Sequence, residues 1–152
     1  MSYSRYKELA KWFALSLSMN ERFQSGRISY TFFPRGTVLT AFLGENIGHE
    51  KSMMRPVVIL SNEQINRTSS NVIVAPLTDA KNKIDIKTGK VRLLPSQYEL
   101  KKSDCSFLTF DSIIQFEDVR SISKERLGTS LGIVPVHVQR NYKNRIKETF
   151  GI

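Results

Sequence analysis

The chain has 152 residues, 40% of them hydrophobic, which suffices for one domain and one core without staples; 23 Lys and Arg against 14 Asp and Glu give a net charge of +9. The lone Cys105 excludes an internal disulfide and gives no zinc-ligand spacing, so a reducing cytoplasm is the expected compartment. No apolar run is long enough to span a bilayer, and Trp12–Met19, followed at once by Asn20-Glu21-Arg22, is too short for a signal peptide and lacks its small-residue cleavage site.

In chain order, Tyr6, Leu9, Ala10, Phe13 and Leu17 recur at helical spacing, which predicts an amphipathic helix over residues 4–24. Residues 25–35, with Gly26, Pro34 and nearby Gly36, read as a linker. From Thr37 the pattern turns to short β-branched and aromatic runs at 37–43, 57–60, 72–77, 105–109 and 112–116, which predicts a small antiparallel sheet or barrel. A polar loop is expected over 61–71, and Lys87-Thr88-Gly89-Lys90 reads as a hairpin turn. Ser121 or Ser123 is expected to cap a brief helix ending at Gly128. Pro135 then opens a last helix with Val138, Tyr142, Ile146 and Phe150 on one side.

Charge is unevenly placed along these elements. Residues 1–35 hold six basic and two acidic side chains, residues 120–152 seven and two, and the middle of the chain ten of each. Basic flanks suit a polyanion such as RNA or an acidic protein partner. The alternative is a solvated surface that aids solubility.

The stretch Gly48–Thr78 concentrates the chemistry. Two buried-type strands place Arg55 at the start of one and Thr78 at the end of the next, so a cation and a hydroxyl converge on one sheet edge. Several further elements carry a family resemblance: Arg35-Gly36, the acidic turn Gly48-His49-Glu50, Arg55-Pro56, Ser61-Asn62, Asn66-Arg67 and Ala75-Pro76-Leu77-Thr78. With Val119-Arg120-Ser121-Ile122-Ser123-Lys124-Glu125-Arg126-Leu127-Gly128, they resemble, in order and over residues 34–134, the MazF/PemK family of toxin ribonucleases.

The resemblance implies an α+β fold, a small SH3-like antiparallel β-barrel of the MazF/CcdB kind with short helices. It also implies a homodimer that cleaves single-stranded RNA without metal or cofactor and is neutralised by an acidic antitoxin. Residues 1–33 then form an N-terminal helical extension and linker, and residues 34–152 the barrel domain with its C-terminal helix. The family's catalytic pair falls on Arg55 and Thr78. Its usual Gln falls on Asp118, a departure that places a carboxylate where phosphate would be repelled.

Chemistry supports the same residues independently. Attack by a ribose 2′-OH needs a proton acceptor, a donor for the leaving 5′-oxygen and positive charge for the pentavalent transition state. Arg55 fits the last role through its forked donors, and Thr78 can hydrogen-bond the 2′-OH or the phosphate. Neither is a strong base. His49 is the candidate base, since an imidazole titrates near neutrality, against a plain solvated loop histidine; Glu50 is the candidate for orienting Arg55 or touching RNA. Candidate RNA contacts are Arg35, Lys51, Asn62, Asn66 and Arg67, with Lys81, Asp118 and Arg120 further along. Phe42, Phe107 and Phe110 are candidate base stackers, with core packing the simpler reading for most; His137 reads as surface or packing.

Other readings stay open. A catalytically inactive relative would bind nucleic acid or protein only, and an inhibitor would use the fold as a protein-binding module. The end Phe150-Gly151-Ile152 is similar to the Trp-Gly-Ile that closes the gyrase poison CcdB, without its Trp.

Overall fold

The β-branched runs after Thr37 form three neighbouring antiparallel strands, β1 (Thr37–Phe42), β2 (Met54–Ile59) and β3 (Asn71–Asp79). The structure, a computed structural model, describes residues 2–26 and 31–152, so residues 27–30 of the expected linker lie outside the described residues. Successive side chains of a strand point to opposite faces, and in β1–β3 both faces are apolar. Val38, Val58, Ala75 and Leu77 enter one buried cluster, while Leu39, Ala41, Val57, Ile59 and Val74 enter a second.

Four further strands, β4 (Gln97–Leu100), β5 (Ser112–Gln115), β6 (Arg120–Ser123) and β7 (Leu127–Ile133), complete a seven-stranded sheet in the order β4-β5-β3-β2-β1-β7. β6 lies off that path and pairs with Asn71–Val74 of β3. All pairings between these strands are antiparallel, giving the expected small α+β barrel. The C-terminal helix, α3 (Val136–Phe150), lays Val138 and Tyr142 on the first cluster beside Phe116, and Gly151 ends it in the left-handed conformation. Phe150, expected on its packed side, is exposed.

The N-terminal helix, α1 (Tyr3–Gln24), forms as its periodicity predicts, with Ser2 accepting a capping hydrogen bond from the Arg5 amide. Its packed face differs from the expected one. Leu9, Trp12, Leu15 and Met19 are its half-buried apolar positions, of which only Leu9 belongs to the expected stripe; Trp12 stacks on Phe42 at 5.0 Å between ring centroids, with the Arg126 guanidinium 5.2 Å from the Trp12 ring. Ion pairs hold both ends, Arg5–Glu45 at 2.6 Å and Arg22–Glu125 at 3.2 Å. The other residues of that stripe, Tyr6, Ala10, Phe13 and Leu17, are exposed, Leu17 at the rim of a cleft between α1 and the barrel.

Several local expectations fail for physical reasons. Residues 105–109 form a turn, not a strand: Cys105 and Leu108 are buried, and the Leu108 amide bonds back to the Cys105 carbonyl at 2.9 Å. The polar loop after β2 contains a short helix, α2 (Glu63–Thr68), started by the Asn62 side chain accepting from the Ile65 amide. The brief helix expected after Ser121 or Ser123 shrinks to a single 3₁₀ turn, Lys124–Arg126, capped by Ser123 between β6 and β7. The hairpin turn at 87–90 forms, with the Gly89 amide bonded to the Asp85 carbonyl and Gly89 at φ +65°.

Candidate active site

The site arises where β2 and β3 separate. Their ladder runs Ile59↔Val74, Val58↔Ala75 and Val57↔Pro76 and stops there. Beyond Pro76, which has no amide hydrogen to donate, β3 takes β5 as its partner: Leu77↔Ile114, Thr78↔Ile113 and Asp79↔Ser112. Extending the β2–β3 register by two residues sets Arg55 across from Thr78, on the face that buries Val57, Ile59 and Val74. The apolar lining of that face ends where the two polar side chains begin.

Arg55 and Thr78 both line the resulting cleft of about 340 Å³, together with Met53, Met54, Asp79, Asn82, Phe110 and Ser112. Both are half-buried. The Arg55 Nε donates to the Ser52 carbonyl at 2.9 Å, which fixes the guanidinium plane and leaves its two terminal nitrogens for a ligand. The Thr78 hydroxyl makes no hydrogen bond to the protein among the described residues. Asp79, next along β3, caps the 3₁₀ turn Ala80–Lys83 and pairs with Lys81 at 3.0 Å. Desolvation pushes its carboxyl up, but hydrogen bonds from the Lys81 amide and ammonium, with the ammonium's charge, hold it below the ordinary range.

The turn before Arg55 is braced from behind. Met53 is the non-glycine residue with positive φ, at 69°, among the described residues, and its amide bonds to the Gly44 carbonyl at 2.8 Å. Gly44 is itself at φ +87°, and a Cβ there would meet the Trp12 ring at 2.5 Å. α1 thus rests on the pair of backbone turns from which Arg55 emerges.

A second cleft, of about 360 Å³, is lined by Glu50, Lys51, Glu117, Asp118, Val119 and Arg120. Lys51 and Asp118 lie 3.9 Å apart. Burial pushes the Asp118 carboxyl up, a direction that Glu117 reinforces and that Lys51, Arg55 and Lys83 oppose. Arg55 therefore acts on Asp118 through space, although the two line different clefts. Asp118→Asn is expected to tighten binding of a short single-stranded RNA about two- to fivefold near pH 7.5, a charge effect under one kcal/mol. Because the Asp118 carboxyl is raised, it takes up its proton at a higher pH than an ordinary carboxyl, so the advantage of the variant should shrink as pH falls. Fluorescence anisotropy with a labelled oligoribonucleotide at about pH 7.5 and in an acidic series checks both statements.

The remaining expected site residues fall elsewhere. Glu50 makes no ion pair with Arg55; the Ser52 carbonyl orients the guanidinium instead. His49 is exposed and lines neither cleft. Arg35 lies beside α3, its carbonyl accepting from Gln139 at 3.4 Å. Arg67 stacks over Phe32 at 4.0 Å, and Asn62 is occupied in capping α2.

The expectation that Asn66 touches RNA is corrected. Asn66 is 0% exposed, its amide donating to the Phe33 and Ser61 carbonyls while its oxygen accepts from the Ser61 hydroxyl. Among the aromatic candidates Phe42 is covered by Trp12 and Phe107 packs on the core, whereas Phe110 is 49% exposed and lines the first cleft. Sequence reading missed Asn82, Ser112 and the two methionines. Asn82 carried a usable signal, since it sits four residues past Thr78 in a polar turn.

Residues 34–150 match the family described as PemK-like, MazF-like toxin of type II toxin–antitoxin system. Endoribonuclease MazF of Staphylococcus epidermidis is 39% identical over 118 residues, which cover 78% of this chain and 91% of that protein. The protein of the same name from Staphylococcus saprophyticus subsp. saprophyticus is 35% identical over the same shares. Among solved structures, an endoribonuclease in complex with its cognate antitoxin from Mycobacterial species has a TM-score of 0.60 at 22% identity, covering 79% of this chain and 96% of that one. At that identity the structural likeness establishes the fold. The two sequence relatives carry the closer kinship.

Proposed function

The chain belongs to the PemK-like, MazF-like toxin family of type II toxin–antitoxin systems and is an endoribonuclease toxin, and from that premise we propose that it cuts single-stranded RNA at the Arg55–Thr78 cleft without a metal ion. The observation that carries the site is the shared cleft in which a braced guanidinium and a hydroxyl with no hydrogen-bond partner among the described residues lie across two parting strands. In this reading the 2′-OH gives up its proton to solvent as its oxygen bonds to the adjacent phosphorus, the bond from phosphorus to the 5′-oxygen breaks, and a 2′,3′-cyclic phosphate forms while the 5′-oxygen takes a proton from solvent. The terminal nitrogens of Arg55 meet the phosphate oxygens as charge builds, and Thr78 positions the 2′-OH or a phosphate oxygen. Phe110 offers a face on which a base can stack, and Lys51, Arg120 and Lys81 extend the positive path. Residues 1–33 are an extension to a barrel domain of residues 34–152.

The chain works as a homodimer in the cytoplasm, and an acidic antitoxin neutralises it, in keeping with its net charge of +9. No described helix is long and apolar enough to cross a membrane. Incubation with single-stranded RNA in EDTA should give products with 5′-hydroxyl ends. Thr78→Val, nearly isosteric, is expected to slow cleavage about ten- to a hundredfold, the worth of one hydrogen bond to a charged group. Failure of every RNA to be cut in EDTA, with cleavage restored by a divalent cation, would overturn the metal-free chemistry.

A further inference from the structure

α1 carries two apolar faces, and the barrel covers only one. Opposite Trp12, Leu15 and Met19 run Tyr3, Tyr6, Ala10, Phe13 and Leu17, at alternating spacings of three and four residues. Tyr3 is 76% exposed, Tyr6 59%, Phe13 65% and Leu17 54%. That spacing is the seam of a two-helix pair, and the helix bearing it lies outside the residues that match the toxin family.

The charges of α1 select the occupant. Arg5 and Arg22 are bound to the barrel through Glu45 and Glu125, and Lys11 pairs with Glu8 at 3.3 Å. Lys7 and Glu21 make no ion pair among the described residues; Lys7 contacts only the Tyr3 ring, at 4.7 Å. Both flank the apolar seam on the same side, two heptads apart, with Ala14 midway between them and at the middle of α1. A two-fold axis near Ala14 therefore brings Lys7 of one copy against Glu21 of the other, twice. The same register layers Phe13 on Leu17 of the partner copy. It also sets Ala10 against Asn20, at the edge of the seam where α1 faces a cleft with the barrel, and Tyr6 against Gln24, polar residues that fix register. A parallel pair would instead set Lys7 and Glu21 near Ser2 and Ser16 of the partner copy and leave both charges unpaired.

We propose that α1 is a self-association helix: two copies of this chain pair their α1 helices antiparallel through the Tyr3–Leu17 seam, with Lys7 of each against Glu21 of the other. This contact is additional to the barrel homodimer and joins chains through the extension. The ion pairs that pin α1 to the barrel hold the seam outward, so pairing needs no unfolding of the extension.

Charge reversal in the full-length protein tests it, read by sedimentation equilibrium. Lys7→Glu and Glu21→Lys are each expected to weaken the α1-dependent association about tenfold, since each sets like charges together twice. The Lys7→Glu/Glu21→Lys double variant should restore it to within about threefold of the parent. Phe13→Glu should abolish it, leaving the helix signal in circular dichroism and RNA cleavage unchanged. Ala14→Cys should cross-link to its own copy on oxidation, Cys105 being buried. If all three charge variants and Phe13→Glu sediment like the parent, the proposal is overturned. It is equally overturned if Phe13→Glu leaves the mass unchanged but weakens RNA or antitoxin binding, which would make the seam a site for that partner.

Discussion

Arg55→Ala is expected to slow cleavage of single-stranded RNA by about a thousandfold or more, while leaving a folded barrel. Removing a single preorganised donor from a developing oxyanion costs about a hundred- to a thousandfold, and Arg55 offers two donors together with a full charge. Among the described residues its side chain hydrogen-bonds only through Nε to the Ser52 carbonyl, and it is half-exposed, so the structural loss is small. Arg55→Lys separates charge from geometry. An ammonium keeps the charge but not the planar fork, so its rate should fall between the parent and the alanine variant. Single-turnover cleavage of an oligoribonucleotide, with the melting temperature as control, measures both. An alanine variant cleaving within tenfold of the parent would remove this cleft from the chemistry.

The brace behind Arg55 ties this expectation to the extension. Met53 holds an unfavourable backbone conformation and Gly44 a left-handed one, and Trp12 fills the space a side chain at Gly44 would need. Strain of this kind persists only where the surroundings over-determine it. Here those surroundings include α1, which therefore both shapes one edge of the cleft and presents an open seam on its far side.

The Arg55–Thr78 pair was legible because its signal is local: two apolar runs, each with one polar residue at the end where the strands part. α1 and α3 were legible from helical periodicity. Periodicity could not say which face of α1 packs, since the chain writes two apolar faces and only the tertiary contacts of Trp12 with Phe42 and Gly44 choose between them. β7 was missed because Leu127–Ile133 has few apolar residues and two glycines. Gly128 and Gly132 are required by the close approach of Thr40 and Phe107, contacts from distant parts of the chain. Residues 105–109 misled in the opposite direction, for Cys105 and Leu108 reach the core from a turn, and burial alone does not make a strand. Asn66 looked like an RNA reader because it is an asparagine in a polar stretch. Its burial depends on Phe33, thirty-three residues earlier.

That burial sets the second large expected effect. Asn66→Ala removes three side-chain hydrogen bonds at once: the Ser61 hydroxyl to Oδ1 at 2.5 Å, and Nδ2 to the Phe33 and Ser61 carbonyls at 3.0 Å each. Two carbonyls and a hydroxyl lose their partner, at roughly 1 kcal/mol apiece, so a loss of about 3 kcal/mol is expected. For a chain of this size that lowers the melting temperature by about 9 °C. The Lys124 ammonium, itself buried, donates to the Asn66 backbone carbonyl at 2.6 Å and keeps that partner in the variant. Asn66→Asp should do no better, since a carboxylate can accept from Ser61 but has no amide hydrogens to give the two carbonyls. At a temperature where both variants remain folded, cleavage rate and cleavage sequence should match the parent within about twofold, because no atom of the Asn66 side chain reaches the surface. An unchanged melting temperature with altered sequence preference would mean that Asn66 reads RNA after all, and that the loop around α2 opens to let it do so.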